Sequence, residues 1–344
     1  MNLIYKGSVK DLYKSGDGKI IFQYSNRYSI FDWGEMPDEI PLKGEALAVL
    51  AGMFFDYLSE KGISSHYLGQ KNRNSIEVQA VDVLRPVWKE DRYDYGAYAH
   101  RPTQCLVPLE VIFRRHLGMG NSLQARLARN PAYAQDLGLT HIPTGDSSFA
   151  PALIEFSTKL ESTDRYLSRA EIQAMHVVSE EELHGLKAHT QQVSQLMEDL
   201  FASFGVKLWD GKVEYAFRND VNGQRELMLV DSIGPDELRL TYENLPLSKE
   251  FLRQIYAGSA WSEAVKKAKD LAQERKTQDW KKICIEELKQ HPLPLTAAQI
   301  QVASYLYQAL ANEVAVALRR PTPFAPDVNL RFWFKKVQEM EPLS

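Results

Sequence analysis

The Asn222-Gly223 dipeptide constrains the fold of this chain more than any other feature. It separates two apolar-rich runs, residues 206–218 and 225–232. Asn-Gly between such runs is a strong short-range hairpin signal, so the two runs are expected to form antiparallel strands. The first carries Asp210-Gly211-Lys212-Val213-Glu214 and the second Leu227-Met228-Leu229-Val230-Asp231. Such a hairpin can hold Glu214 and Asp231 side by side. Carboxylates brought together inside a protein repel unless they share a proton or bind a cation. A hard divalent ion shared with nucleotide phosphates meets that need. An exposed hairpin with solvated charges is the alternative reading of the same residues.

The surrounding pattern places this hairpin in an α+β chain. Ile4 to Tyr13 and Lys19 to Tyr24 read as strands flanking the turn Ser15-Gly16-Asp17-Gly18. A helix is predicted from Glu45 to Lys61, with Leu47, Leu50, Phe54 and Leu58 on one stripe and Gly62 at its end. Strands at Ser75–Val83 and Thr103–Phe113 complete a small strand-rich N-terminal lobe, residues 1–114. A larger α+β lobe, 115–344, begins with a stretch expected to be loop-rich, punctuated by Pro131, Pro143 and Pro151. Ser179 and Glu182 have the spacing of a capping box for a helix from Glu180 to Phe204, and Thr296 and Gln299 for one reaching Leu318. Helices near 248–257 and 260–276 lie between them. The tail carries Pro321, Pro323 and Pro326 and is expected to lie over the body, anchored by Phe332, Trp333 and Phe334. Strands and helices do not alternate as βαβ units, which argues against a doubly wound sheet. At about 150 residues per domain, 344 residues fit two domains or one body with a lobe.

Composition excludes several classes. No run approaches the roughly 18 apolar residues of a membrane span, and Lys6, Lys10, Asp11 and Lys14 interrupt any leader-like segment. A net charge of -4 argues against a nucleic-acid partner and requires any anion site to be local. Cys105 and Cys284 are isolated, giving neither a disulfide framework nor a zinc motif, as suits a reducing cytoplasm. The eight histidines form no His-x-x-x-His or His-Glu-x-x-His motif. The chain is compatible with a homo-oligomer and leaves that state open.

Four further stretches can carry chemistry, and each has a bland counterpart in a solvated strand, helix entry or loop. Gly7 lies between Lys6 and Lys10, which places ammonium and backbone N–H groups where phosphates can sit, without the spacing of a Walker loop. Lys43 and Gly44 stand at the mouth of the first helix, where free N–H groups favour anions. Glu110 and Arg114 share one face of an apolar strand, so a buried Glu110 needs a partner and Arg114 can take a phosphate bidentately. Gly118-Met119-Gly120-Asn121-Ser122 follows with N–H and hydroxyl donors, and Ser157 to Asp164, including Lys159, is densely polar.

Taken in order, these stretches resemble the SAICAR synthetase family over nearly the whole chain. Tyr5 to Tyr13 is similar to its Gly-Lys-x-Lys-x-x-Tyr opening, Arg27 to Asp32 to Asp-Arg-Ile-Ser-Ala-Phe-Asp, and Ile40 to Glu45 to Ile-Pro-Gly-Lys-Gly-Glu. Pro108 to Arg114 matches Pro-x-Glu-x-x-x-Arg, which precedes a Gly-Ser pair in the family. Ser157 to Asp164 resembles Ser-Thr-Lys-x-Glu followed by His-Asp. Asp210 to Glu214 matches Asp-x-Lys-x-Glu, and Asp231 to Arg239 resembles Asp-Glu followed by Pro-Asp-Ser-Ser-Arg. The resemblance implies a two-lobed fold with ATP between the lobes. It also implies an ATP-dependent ligase that joins 5-amino-4-carboxyimidazole ribonucleotide to L-aspartate through an acyl phosphate, with Mg²⁺. By the same correspondence Glu214 and Asp231 bind the metal, and Lys212 and Asp231 are catalytic. Lys10, Glu110, Lys159 and Lys212 join those carboxylates at the nucleotide, while Asp32, Lys43, Arg114, Ser122, Asp236 and Arg239 bind the substrates. The chain departs from the pattern at Ser8, Thr163, Ser232 and Glu237-Leu238, and needs an extra residue before Ser122. Those departures leave two alternatives: a related amide ligase with another acid or amine, or a non-catalytic nucleotide-binding protein.

Overall fold

The computed structural model describes residues 2–118, 122–145 and 147–340. Its smaller antiparallel sheet runs β1-β2-β3-β5-β4, from β1 (Asn2–Lys6), β2 (Lys10–Lys14), β3 (Lys19–Tyr24), β4 (Tyr67–Asn72) and β5 (Ser75–Gln79). Helix α1 (Lys43–Glu60) packs on it because Leu47, Leu50, Phe54 and Leu58 recur at helical spacing and all are buried. The segment from Ile4 to Tyr13 is two strands rather than one. It turns back at Gly7 to Val9, where a Cβ on Gly7 would lie 2.6 Å from the Lys10 carbonyl oxygen. Glycine is the residue that this close approach admits.

A separate hairpin, β6 (Val87–Lys89) and β7 (Arg92–Asp94), precedes the larger sheet. That sheet holds β8 (Cys105–His116), β9 (Ser148–Thr158), β10 (Tyr166–Leu167), β11 (Lys207–Asn219), β12 (Arg225–Val230), β13 (Leu238–Tyr242) and β14 (Leu245–Pro246). Its order is β10-β9-β8-β11-β13-β14, with β12 also paired to β11. The strand expected at Thr103–Phe113 therefore belongs to the larger lobe, and residue 114 lies inside β8. The two sheets part company within residues 80–104.

Residues 122–136, expected as loop, form α2 (Ser122–Arg129) and α3 (Tyr133–Asp136). After α4 (Arg169–Met175) comes α5 (Glu180–Ala202), which lays Leu183, Leu186, Val193, Met197 and Phe201 against β8, β9 and β11. The Ser179–Glu182 capping box forms, as does a second at Ser168–Glu171. The chain continues through α6 (Lys249–Tyr256), α7 (Ala260–Glu274), α8 (Trp280–Lys282), α9 (Ala297–Ala317) and α10 (Leu330–Gln338). Thr296 and Gln299 cap α9, which packs behind α1. Buried Asn312 on α9 donates to the carbonyls of Ala325 and Val328 and accepts from the Phe324 N–H, which ties down the proline-rich tail. The tail ends as α10, with Trp333 buried against the body. Among the described residues, no helix is long and apolar enough to cross a membrane.

One detail positions the site. β11 pairs with β8 along one edge, but shares its other edge between β13, opposite 207–211, and β12, opposite 214–219. The chain leaves the sheet after Val230, passes between the lobes and returns at Leu238. Leu229 N–H donates to Ser64 (2.9 Å) and His66 N–H to Leu229 (3.0 Å), so the end of β12 is tied to the segment that follows α1.

Candidate active site between the lobes

Strand alternation sets the site. Asp210, Lys212 and Glu214 share one face of β11, and the register brings Glu110 opposite Glu214 and Arg114 opposite Asp210. On β9, Glu155 lies opposite Ile112 and Ser157 opposite Glu110. Pro108 sits where the β8–β11 register shifts; proline has no N–H to give to the ladder, and its carbonyl accepts from Lys159 N–H. One face of three adjacent strands thus carries a dense band of charge, while α5 covers the opposite, apolar face.

Toward the small lobe the band is built from lysines and carboxylates. Lys159 contacts Glu214 at 2.5 Å and Glu110 at 3.3 Å. Lys212 pairs with Glu110 and approaches Glu214 at 3.5 Å. Lys10, on β2, pairs with Asp231 and donates to Ser232 at 2.7 Å, and Ser232 also meets Tyr24 at 2.9 Å. The hairpin thus joins Glu214 and Asp231 to one cluster across the lobe junction. Burial, and then the Asp231 charge, push the Glu214 carboxyl up. Burial opposes ionisation of Asp231 too, but Lys10 and Lys159 outweigh it and hold that carboxyl well below the usual range. For Glu110, Lys212 and Lys159 likewise overcome burial and lower it. Asp164, near Glu110, is raised, mainly by burial.

Next to this cluster the same sheet face turns apolar. Leu106, Ala216, Met228 and Val230 form a small buried group, with Val81 and Leu160 partly buried against it. In the other direction it becomes guanidinium-rich. Arg114 is buried between Glu155 and Asp210, the latter at 3.2 Å, and Arg239 reaches Asp210 at 2.9 Å. Arg126 on α2 binds Glu155, donates to Ser122 at 2.9 Å and lies 3.3 Å over the Tyr166 ring. Arg126 is not among the residues expected from the sequence. Its only sequence signal is its place four residues after Ser122, one helical turn away. Met119 to Asn121 lie outside the described residues.

The other residues expected at the substrates are engaged with partners of their own. Lys43 is fully buried, pairing with Asp236 at 2.9 Å while Asp236 accepts from Tyr307 at 2.8 Å. These groups tie α1, the 231–237 segment and α9 together, and Asp236 also lines a small cavity with Lys10 and Ser232. Asp32 is exposed and pairs with Lys269 on α7 at 2.6 Å, and its charge also acts on Asp164. The departures at Glu237 and Leu238 also turn from the substrate side. Leu238 packs over Gly211 and Phe113, whereas Glu237 faces inward beside Lys10, Tyr24 and Ser232. Burial and then Asp236 push Glu237 up to about 7. Thr163 lines a cleft of about 1060 Å³ between the β6–β7 hairpin and residues 161–165.

Among the described residues, no three His, Cys, Asp or Glu side chains cluster as a self-sufficient metal cage. Two carboxylates beside ammonium groups fit Mg²⁺ instead, since Mg²⁺ is commonly held by one or two carboxylates together with substrate phosphates.

The architecture is that of a two-lobed α+β protein: a strand-rich N-terminal lobe, a larger α+β lobe and a charged junction between them. The chain belongs to the SAICAR synthetase family, whose model matches residues 3–268. A putative phosphoribosylaminoimidazole-succinocarboxamide synthase of Archaeoglobus fulgidus is 37% identical over 329 residues, covering 90% of this chain and 93% of the relative. The fold matches SAICAR synthase of Saccharomyces cerevisiae solved with SAICAR, at a TM-score of 0.62 and 19% identity, over 94% of this chain and 97% of the other. It also matches a SAICAR synthetase solved with ADP, at a TM-score of 0.55 and 24% identity, over 73% and 90%.

Proposed function

We propose that this protein is an ATP-dependent ligase that couples 5-amino-4-carboxyimidazole ribonucleotide to L-aspartate, yielding SAICAR, ADP and phosphate. The observation that carries the reading is the ordered face of the large sheet: an apolar floor, then lysines with carboxylates, then arginines. A nucleobase would rest by Val81 and Leu160, the phosphates by Lys10, Lys159 and Lys212, and the anionic ribonucleotide by Arg126, Arg239 and Ser122. Arg114 would act from beneath, by holding Asp210 and Glu155 in place. This assigns nucleotide binding to the small lobe plus the adjoining sheet face rather than to residues 1–114 alone. The two free, buried cysteines support a cytoplasmic setting.

An amine does not displace oxide from a carboxylate, so the acid must first be activated. In the proposed reaction a carboxylate oxygen of the ribonucleotide attacks the γ-phosphorus and ADP departs. The aspartate amine then attacks the acyl carbon and phosphate leaves with the bridging oxygen. Lys212, half-buried beside Glu110, would offset charge on the reacting carboxylate. Glu214 and Asp231 would hold Mg²⁺, which supplies positive charge to the phosphates. The test is incubation with Mg–ATP, the ribonucleotide and a panel of amino acids, with products identified by mass. ADP release and a coupled product that need both the ribonucleotide and aspartate support the assignment. Equal or better coupling of another amine would replace aspartate, and ADP release requiring neither partner would sink the assignment.

A further inference from the structure

Asp231 sits one residue beyond the end of β12 with φ of 63°, a left-handed backbone uncommon outside glycine. Something other than the strand ladder must hold it there. His66 Nε2 lies 3.0 Å from the Asp231 carbonyl oxygen. A carbonyl only accepts, so Nε2 carries the hydrogen. The histidine is itself fixed: its N–H donates to Leu229, its carbonyl accepts from Gln79 at 2.7 Å, and its buried ring packs edge-on to Phe22 and Phe55, with centroids 5.5 and 5.7 Å away. The peptide before Asp231 is set by β12 and the peptide after it by His66. Two fixed peptide planes determine the direction of the Cα–Cβ bond between them.

We propose that His66 is a positioning residue, one that aims the Asp231 carboxylate at the Mg²⁺–nucleotide site through the backbone rather than through the side chain. The proposal rests on the assignment of Asp231 to that metal. It also links the lobes, since the group orienting one metal ligand comes from the small lobe while Glu214 belongs to the large sheet.

The test reads binding, not turnover. Calorimetry gives the ADP dissociation constant with and without Mg²⁺, and the ratio is the gain due to the metal. His66→Phe keeps a ring between Phe22 and Phe55 but removes the donor, whereas His66→Gln offers an amide N–H near the Nε2 position. The expected result is a metal-dependent gain about tenfold smaller in His66→Phe, of the size seen when groups behind metal ligands are removed. His66→Gln should recover most of it, and ADP affinity without metal should stay unchanged in both. If His66→Phe does not fold, His66→Leu against His66→Gln makes the same comparison. A wild-type gain in the donor-less variant, with Asp231→Asn losing the gain, overturns the role of His66 and leaves the metal assignment standing. A full gain in Asp231→Asn overturns both.

Discussion

The two ends of the charged band are built from different cations, and the difference indicates what each end does. At the lobe junction, lysines meet Glu110, Glu214 and Asp231, and the Lys212 side chain is still 34% exposed. At the far end Arg114 is 4% exposed, between Glu155 and Asp210. An ammonium is a compact charge on a flexible stem and can exchange one anion for another; a guanidinium fork already engaged on two sides cannot do so without breaking its frame. In the proposed reaction the lysine end would trade carboxylates for phosphates as nucleotide and metal arrive. The buried arginine is structural support, and only its more open neighbours, Arg126 and Arg239, can meet a ligand.

The largest expected effects come from the lysine end. Glu214→Gln or Asp231→Asn should lower Mg²⁺-dependent turnover by roughly a hundredfold or more, since metal charge is worth several kcal/mol to such a step. Glu214→Gln should melt near wild type, because burial and Asp231 already disfavour that charge, whereas Asp231→Asn should melt lower, because it leaves Lys10 without its carboxylate. Near-parental turnover at low Mg²⁺ in either variant would count against the metal assignment. At the other end the failure should be in stability. Arg114→Met leaves Glu155 and Asp210 buried with less compensation, at a cost of about 3–5 kcal/mol in a urea melt. Lys212→Met should move the urea midpoint far less while impairing coupling. Equal losses of stability would erase the contrast between the ends.

Glu237 tests the lysine end by pH. Its folded carboxyl is raised from 4.5 to about 7, so between those values the folded state binds more protons than the unfolded state. Its contribution to stability therefore falls as pH rises from 5 to 8, by about 2 kcal/mol, at about 1.4 kcal/mol per pKa unit. Glu237→Gln should flatten that part of the urea-midpoint profile. An unchanged slope would mean that Lys10 neutralises Glu237 fully in the folded protein.

What could be read from the sequence was local. Asn222-Gly223 and the Ser179–Glu182 and Thr296–Gln299 pairs announce themselves because turn and capping chemistry act within a few residues. Glu110, Lys159, Lys212 and Glu214 converge because strand alternation puts them on one face once the register is set. The direction of a side chain relative to the other lobe is not local. Lys43 disappears into the core because Asp236 and Tyr307 arrive from segments about 190 and 260 residues away. Glu237 and Leu238 look like changes at the substrate side, yet the turn before β13 sends one inward and packs the other on Gly211. His66 carries no motif at all; its role rests on a carbonyl 165 residues distant.

Arg126 offers the finest test of the contrast, because it belongs to the arginine end yet keeps an open edge. Its guanidinium is stacked on Tyr166 and bonded to Glu155, which fixes its plane, while its contact with Ser122 points toward the expected phosphate side. A pre-oriented guanidinium that exchanges its Ser122 hydroxyl bond for a phosphate oxygen, while Glu155 and Tyr166 still hold its plane, does so with little loss of side-chain freedom. Arg126→Ala should therefore raise KM for the ribonucleotide by roughly tenfold, about one charge-assisted hydrogen bond, and leave KM for ATP unchanged. Arg126→Lys keeps the charge but not the stacking or the fork, so it should recover only part of that loss. Parallel rises in both KM values would mean that Arg126 steadies the sheet through Glu155, as Arg114 does, and would move it from the ligand to the frame.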